Sequence, residues 1–340
     1  MRRPALPTWL PVDPFILLLL TVVALAALFP ASGGAAGVAR TAADVAIGLL
    51  FFLYGTRMST REAFAGLSHW RLHLFVVLST FVLFPVLGVL ARLLVPYVLT
   101  DQLYTGVLFL CVVPSTIQSS IAFTSIAKGN VPAAISAGTY SALLGMVLTP
   151  LLAAWLIGSE ADFSASGLLG IATQLLVPFL AGQLARPWIG GFVQRHRVVL
   201  GRVDRVSILL VVYTAFSEGM EHGVWSHVTG LRLLALAGVL AVLLALVLTL
   251  TSVLSRRLGF GREDRIAIVF AGSKKSLANG LPMAAVLFGA QASLTILPLM
   301  LFHQLQLIVC AVIAKRWGRQ ADELPPPPAP KTPGARQRAA

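Results

Sequence analysis

Residues 271–282 read Ala-Gly-Ser-Lys-Lys-Ser-Leu-Ala-Asn-Gly-Leu-Pro and lie within an otherwise apolar stretch that runs from 266 to 288. Because about 20 apolar residues suffice to cross a bilayer, Lys274 and Lys275 would lie near the middle of a membrane span. Each charge there costs about 2.5–3.5 kcal/mol on insertion scales. A chain keeps such charges where they face a cavity, a partner group or a substrate, so we expect function at this segment.

The composition predicts an integral membrane protein. Of 340 residues, 57% are hydrophobic and only 11% are charged, and the mean hydropathy is +0.85. Soluble domains carry about 25% charged residues. The apolar segments lack the two-residue alternation of a membrane β-barrel, so an all-α fold is expected. Cys111 and Cys310 each fall in an apolar segment and are interpreted as small apolar fillers.

Apolar windows of about 20 residues predict ten transmembrane helices. The predicted spans are 12–29, 41–56, 73–95, 103–126, 131–157, 166–185, 206–224, 229–254, 266–288 and 292–314.

The basic residues are distributed unevenly between the two sides of this topology. With the N-terminus inside, the outer connections hold Arg40, Arg92 and Arg232, the ninth span holds its two lysines, and the remaining 21 of 26 basic residues lie inside. Positive charge favours the cytoplasmic side, so both termini are predicted to be cytoplasmic, in a plasma (inner) membrane. The same bias explains the formal net charge of +13 without a nucleic-acid partner.

Ten spans divide into two halves of five, and the odd number gives the halves opposite orientations in the membrane. We predict a first inverted repeat over 1–160, a second over 161–318, and a disordered cytoplasmic tail over 319–340. Transporters built this way bind substrates and ions near the midplane, where broken helices of the two halves meet. The fourth and ninth spans occupy equivalent positions, so both are expected to be interrupted.

Each of these two spans contains residues that favour a break. The fourth contains Pro-Ser-Thr-Ile-Gln-Ser-Ser at 114–120, and Pro114 has no N–H for helix hydrogen bonding. In the ninth, Gly272 and Gly280 weaken the helix, and Pro282 is expected in the first turn of a second half-helix. The small polar side chains could satisfy freed backbone groups, coordinate a cation or hold a carboxylate. Close helix packing without a ligand is the alternative.

At these positions the chain resembles the bile acid:sodium symporter superfamily, in its divergent SBF-like branch. The likeness extends over nearly all ten spans. Its most specific parts are 114–120, Ala-Lys-Gly-Asn at 127–130, Leu-Thr-Pro at 148–150, Ser-Lys-Lys-Ser-Leu at 273–277 and Gly-Leu-Pro at 280–282.

The resemblance implies a core domain of spans 3–5 and 8–10, in which discontinuous spans 4 and 9 cross at the midplane. A panel domain of spans 1, 2, 6 and 7 would move against it, with substrate bound between the two. Sodium-coupled members bind the ion with polar residues of spans 4, 5 and 9, and the corresponding sodium ligands here would be Ser119, Ser120 and Thr139. The full set of substrate- or ion-binding candidates is Gln118, Ser119, Ser120, Ser136, Thr139, Tyr140, Ser273, Lys274, Lys275, Ser276 and Asn279.

The ninth span departs from the sodium-coupled pattern. Ala271 and Gly272 stand where those members carry a glutamate, and two lysines follow. Three interpretations are open: a lysine ammonium takes the place of a sodium ion, the lysines bind an anionic substrate directly, or a lysine that exchanges its proton couples transport to protons. Sodium as a coupling ion is the one cofactor considered.

The leading hypothesis is a secondary active transporter of an organic anion, bile-acid-like or a small carboxylate, that works by alternating access, with sodium coupling as one option. No nucleotide-binding G-x-x-x-x-G-K-[ST] motif is present. The alternatives are a proton-coupled or uncoupled transporter, and a non-transporting membrane regulator of the same fold. An enzyme ranks last, because the six histidines and thirteen acidic residues form no evident cluster. The expected partners are the anion and the lipid bilayer; the sequence does not indicate an oligomeric state.

Overall fold

The computed structural model describes residues 14–57, 69–158, 165–223, 225 and 229–322, and its regular structure within these ranges is helical. In chain order the helices are α1 (Pro14–Leu28), α2 (Gly33–Arg57), α3 (Trp70–Leu94), α4 (Asp101–Val112), α5 (Gln118–Ile126), α6 (Val131–Ile157), α7 (Ala165–Arg195), α8 (Arg197–Glu221), α9 (Gly230–Arg257), α10 (Arg262–Gly272), α11 (Leu277–Phe288) and α12 (Ala292–Asp322). Helix α3 contains a π-helical turn at Ser79–Leu83 and ends in a 3₁₀ turn at Ala91–Leu94.

The apolar helices support a multi-pass integral membrane protein. Within the described residues, α2, α3, α6, α9 and α12 are long and apolar enough to cross a membrane, and α1 and α4 are shorter apolar helices. Every predicted span overlaps a helix or a pair of half-helices, and α6 has the predicted bounds 131–157. Ten crossings remain a prediction. Helix α12 extends four residues into the predicted tail, and residues 323–340 lie outside the described ranges.

Two of the predicted spans are interrupted, as the sequence led us to expect. Helix α4 ends at Val112 and α5 begins at Gln118, and α10 ends at Gly272 before α11 begins at Leu277. The second break is sharp because the hydroxyl of Ser276 accepts the Asn279 N–H at 3.2 Å and caps α11.

The prediction that Pro282 lies in the first turn of a half-helix is wrong. Since the Ser276 cap starts α11 at Leu277, Pro282 lies inside that helix. Proline has no N–H, so Pro282 cannot donate to the carbonyl of Ala278, four residues earlier. That carbonyl instead accepts the hydroxyl of Tyr54, on α2, at 3.4 Å. The proline thus frees an acceptor for a contact between distant helices.

The helices form two packing sets. In the first set, α2 packs against α7 and α8, and α8 packs against α1. In the second set, α12 packs against α4, α9 and α11, while α6 packs against α3, α4, α5 and α10. Helix α8 also contacts α11 and α12, and α6 contacts α7, so the sets share an interface. The two sets hold the same helices that the resemblance assigns to a panel and a core.

The outer surface is apolar. Leu93, Trp155 and Trp188 are each about four-fifths exposed. Phe84 and Phe302, in contrast, are fully buried, and their rings meet edge to face 6.0 Å apart. Large exposed apolar side chains are expected on a protein surface that contacts lipid.

Two glycines bring the backbones of α2 and α7 into direct contact. A Cβ on Gly55 would lie 2.2 Å from the carbonyl oxygen of Phe179, and one on Gly182 would lie 2.1 Å from that of Phe52. Small residues allow membrane helices to approach this closely, and the attraction comes from packing along the contact. The first set therefore depends on the absence of a side chain at these two positions.

We expect Gly55→Val to separate α2 from α7 and to destabilise the protein by about 1–3 kcal/mol, the usual range for overpacking. The measurement is the thermal midpoint of the detergent-purified protein. Gly48→Val is the matched control, because it is in the same helix and nothing lies within 4 Å of the added Cβ. Equal midpoints for the two variants would contradict this account of the contact.

Candidate functional site

The two helix breaks meet inside the second set. The N–H of Ser276, in the break between α10 and α11, donates to the carbonyl oxygen of Pro114, in the break between α4 and α5, at 2.8 Å. We call this region, residues 113–117 and 273–276, the junction. Four half-helix ends converge on it, and each brings backbone groups that have no partner within its own helix.

Side-chain hydroxyls satisfy the freed carbonyls at the end of α10. Each of the last three carbonyls accepts a serine hydroxyl from another helix or from the other break: Phe270 from Ser120 at 2.9 Å, Ala271 from Ser115 at 2.5 Å, and Gly272 from Ser79 at 2.8 Å. In the low-polarity interior an unpaired carbonyl would be costly, so these serines hold the break together.

Lys275 satisfies the equivalent carbonyls at the end of α4. Its Nζ donates to the carbonyl oxygens of Cys111 at 2.7 Å, Val113 at 2.8 Å and Thr80 at 3.0 Å. The Phe84 ring centroid is 4.1 Å from the same nitrogen. A cation at the C-terminal end of a helix also meets the negative end of the helix dipole. The lysine is therefore fully paired although it is completely buried.

Lys274 is also completely buried but has fewer partners. Its Nζ donates to the carbonyl oxygen of Ser119 at 2.8 Å and lies 3.9 Å from the centroid of the Phe123 ring. The Phe270 ring is farther away, at 5.2 Å. Aromatic faces attract cations, and the attraction grows when the cation is desolvated. The two adjacent lysines thus occupy different surroundings.

Gln306 of α12 holds the peptide groups of the second break. Its side-chain oxygen accepts the Lys275 N–H at 2.9 Å, and its amide nitrogen donates to the Lys275 carbonyl, also at 2.9 Å. The same nitrogen is 2.9 Å from Nδ1 of His303. This bidentate contact imitates the backbone hydrogen bonds that the break removes. Gln306 falls within the predicted span 292–314 but is not among the site residues predicted from the sequence.

A crevice of about 730 Å³ lies between the two helix sets. The first set contributes residues of α1, α2 and α8, and the second contributes residues of both breaks, α6, α11 and α12. Ile117 and Gln118 line the crevice at the start of α5, and Ser276 and Leu277 line it at the start of α11. Neither lysine of the junction lines the crevice.

The wall that α8 contributes is basic. Arg197, Arg202 and Arg205 line the crevice and are exposed. Arg57 of α2 lines it as well and forms an ion pair with Asp204. Burial raises the pKa of the Asp204 carboxyl, and the hydrogen bond and positive charge of Arg57 act in the opposite direction. Asp204 is the one acidic residue among those that line the crevice in the described structure.

The structure distributes the predicted site residues among three places. Gln118, Thr139, Ser276 and Asn279 line the crevice. Ser119, Ser120, Ser273, Lys274 and Lys275 belong to the junction or pack directly against it. Ser136 and Tyr140 lie on α6 outside both groups, and the Tyr140 ring packs 4.9 Å from that of His73.

The three residues expected to bind sodium have different surroundings. Thr139 lines the crevice. The Ser120 hydroxyl is within hydrogen-bonding distance of the carbonyls of Thr116 and Phe270, at 2.6 and 2.9 Å. The Ser119 hydroxyl is buried and has no hydrogen-bond partner among the described residues.

The basic wall was not expected, because the predicted spans 166–185 and 206–224 leave residues 186–205 in an inner connection. Helix α8 instead begins at Arg197, and its crevice residues recur as Arg197, Gly201, Arg205 and Ile208. That spacing is helical and was present in the sequence. Its charges were attributed to the cytoplasmic loops, since arginines near the end of a span satisfy the same rule.

Long apolar helices, two broken helices that meet inside the protein, and a polar crevice beside the breaks are the features of a secondary transporter. The comparison with known families agrees. The chain belongs to the SBF-like CPA transporter family, whose model matches residues 13–319.

Relatives resemble the chain over almost its whole length. An uncharacterized protein of Pseudomonas aeruginosa is 53% identical over 93% of this chain and 96% of its own. The Escherichia coli K12 protein named "Putative symporter YfeH" is 49% identical over 92% and 95% of the two chains. The Xenopus tropicalis protein named "Sodium/bile acid cotransporter 7" is 29% identical over 89% and 92%. The resemblance to the bile acid:sodium symporter superfamily is thereby confirmed.

We expect Gln306→Leu to destabilise the junction, because it leaves the N–H and the carbonyl of Lys275 buried without their partner. Each unsatisfied group costs about 1–3 kcal/mol. The matched control is Gln304→Leu, the same substitution two residues away on α12. Thermal midpoints in detergent give the comparison, and a drop confined to Gln304→Leu, or no drop in either variant, would refute the assigned role of Gln306.

Proposed function

We propose that this protein is a secondary active transporter of the plasma membrane that moves an organic anion by alternating access. The observation that carries the proposal is the crevice, which lies between the two helix sets and receives the N-terminal ends of both second half-helices. A site between two bodies can open to either side of a membrane when one body moves against the other.

The charge of the crevice favours an anion. Helix N-termini carry partial positive charge and unpaired N–H groups, and two of them, those of α5 and α11, reach the crevice. Arg197, Arg202 and Arg205 add positive charge along the opposite wall. A carboxylate, sulfonate or sulfate is the kind of group that such an environment attracts.

The size and the apolar part of the lining favour an amphipathic substrate. Cavities for ligands of drug size measure about 300–1,000 Å³ and combine apolar walls with a few polar groups. Phe15, Ile135, Met146 and Ile208 supply apolar wall here, and Gln118, Thr139 and Asn279 supply uncharged polar contacts. A bile-acid-like anion uses both kinds of surface, and a small carboxylate uses the polar part.

The proposal includes the topology expected from the sequence. We propose ten crossings arranged as two inverted repeats, 1–160 and 161–318, with both termini in the cytoplasm. The basic end of α8 then lies on the cytoplasmic side, and the crevice opens inward. The basic-residue distribution supports this orientation.

The opposite end of α8 is closed against α12. A Cβ on Gly219 would lie 2.1 Å from the hydroxyl oxygen of Ser293 and 3.3 Å from Nε1 of Trp225. The Ser293 hydroxyl and the Trp225 N–H are buried without a hydrogen-bond partner in the described residues. Under alternating access this contact separates when the crevice opens to the outside, and water then reaches both groups.

Uptake by purified protein in liposomes tests the proposal. Radiolabelled taurocholate serves as the bile-acid-like probe and succinate as the small-carboxylate probe, each under an inward sodium gradient, a proton gradient and no gradient. We expect saturable uptake or exchange of at least one probe above empty liposomes. If neither probe moves under any condition, transport of these anions is refuted; binding of a probe without movement would favour the regulator.

Crevice variants connect any uptake to the site. We expect Asn279→Leu to reduce uptake at least about tenfold, the effect of losing roughly 1.4 kcal/mol of polar contact in a site that retains its shape. Asn279 lines the crevice. Val312→Leu, on the exposed surface of α12, is the control, and its uptake should equal that of the original protein. Full activity in Asn279→Leu would place the substrate elsewhere.

We also expect Gly219→Leu to prevent closure against Ser293 and so to slow uptake while preserving substrate binding. The binding assay is displacement or thermal shift with the transported probe, and the rate is measured in liposomes. Gly238→Leu on α9 is the control, because nothing lies within 4 Å of its added Cβ. Unchanged uptake by Gly219→Leu would count against a moving contact at this position.

A further inference from the structure

Three carbonyl oxygens converge on the ammonium of Lys275, and each has lost its usual helix partner. The Phe84 N–H, which would pair with Thr80 in a regular α-helix, donates to Ser79 because of the π turn. In a π-helical turn the Thr80 carbonyl would pair with the N–H of residue 85. That residue is a proline and has no N–H. The Ser115 N–H, which would pair with Cys111, donates to the Ser141 hydroxyl at 2.9 Å.

The third oxygen belongs to Val113, just beyond the end of α4, where the helix no longer supplies a donor. The three oxygens thus come from two helices, with N···O distances of 2.7–3.0 Å to one nitrogen. A group of converging carbonyl oxygens that replaces hydration is the donor set that proteins offer to alkali cations. We call the three oxygens of Thr80, Cys111 and Val113 the carbonyl cage.

The position of Lys275 excludes a direct contact with substrate in this conformation. Its side chain is fully buried, and the crevice is lined by the next residue, Ser276, rather than by the lysine. The cation and the proposed anion site are therefore separated by the backbone of the break.

The junction does not fit an added sodium ion. The carbonyl cage holds the Lys275 ammonium, whose three hydrogen bonds use all three of its N–H donors. Residues 113–117 and 273–276 include no carboxylate that could balance a second positive charge. A buried ammonium without a neutralising acid would repel a free cation in this low-dielectric interior.

We propose that the carbonyl cage is a monovalent-cation site that the chain fills with its own side chain, Lys275. Transport through the crevice is then independent of sodium, and removal of the side chain creates a vacancy for a small free cation. The transport consequence rests on the function proposed above, whereas the occupancy of the cage does not.

The first test measures the stability of purified Lys275→Ala protein, which leaves the cage without its ammonium. The probes are sodium chloride and n-propylammonium chloride, which replaces the three lost carbons and the nitrogen, with N-methyl-D-glucamine chloride as a bulky cation at equal ionic strength. We expect a lowered thermal midpoint that rises with sodium or propylammonium and does not rise with N-methyl-D-glucamine, because a ligand that binds the folded state stabilises it.

Matched variants distinguish the cage from a general salt effect. Lys274→Ala removes the neighbouring ammonium, which contacts one carbonyl rather than three, and its midpoint should not respond to either small cation. Lys275→Met fills the cage with an uncharged chain, and it should likewise show no cation response. The proposal is overturned if the thermal midpoint of Lys275→Ala rises with neither small cation, or if it rises no more than the midpoint of Lys274→Ala.

The second test needs no variant, so it remains decisive if Lys275→Ala fails to fold. The midpoint of the original protein, and its uptake of the transported probe, should be unchanged when sodium is replaced by N-methyl-D-glucamine. A strict requirement for sodium in either measurement overturns the proposal. If no probe is transported at all, the proposed function fails, and the midpoints still decide whether Lys275 fills a cation site.

Discussion

The need to pair every backbone polar group inside the protein governs the centre of this structure. Breaking a helix within a membrane releases carbonyl and N–H groups that lipid cannot satisfy. Here two breaks lie together and supply part of each other's requirement, beginning with the hydrogen bond from Ser276 to Pro114. Serine hydroxyls take up the carbonyls at the end of α10, and Lys275 takes up two at the end of α4. The crevice is possible because this network keeps four half-helix ends in place.

The same network gives the two lysines a structural reason to exist. A buried ammonium without partners would be strongly destabilising, but Lys275 makes three hydrogen bonds and lies against an aromatic ring. Lys275 then places positive charge at the C-terminal end of α4, where the helix dipole is negative, and the N-terminal ends of α5 and α11 open into the crevice. One set of helix breaks therefore separates a fixed cation from a surface that attracts anions.

Several features could be predicted because local rules decide them. The 131–157 helix follows from its apolar length and its two ends, and the interruption after Val112 follows from Pro114 and the small polar residues beyond it. The position of Pro282 could not be predicted, because proline suits the first turn of a helix but can also occupy its interior. Inside a helix it leaves a carbonyl four residues earlier without a partner, and here the Tyr54 hydroxyl donates to that carbonyl, of Ala278. The wall of arginines was assigned to a loop, since charge alone does not tell a helix end from a connection.

The sequence by itself determined that this is a membrane protein with polar breaks in two apolar segments, because hydropathy and proline chemistry act over a few neighbouring residues. Only the tertiary structure decided what the lysines touch. Thr80, Cys111 and Val113 contribute backbone oxygens, which every residue type carries, so no side-chain pattern could have indicated the carbonyl cage. The residues that meet at Lys275 are up to 195 positions apart, and their convergence depends on how whole helices pack.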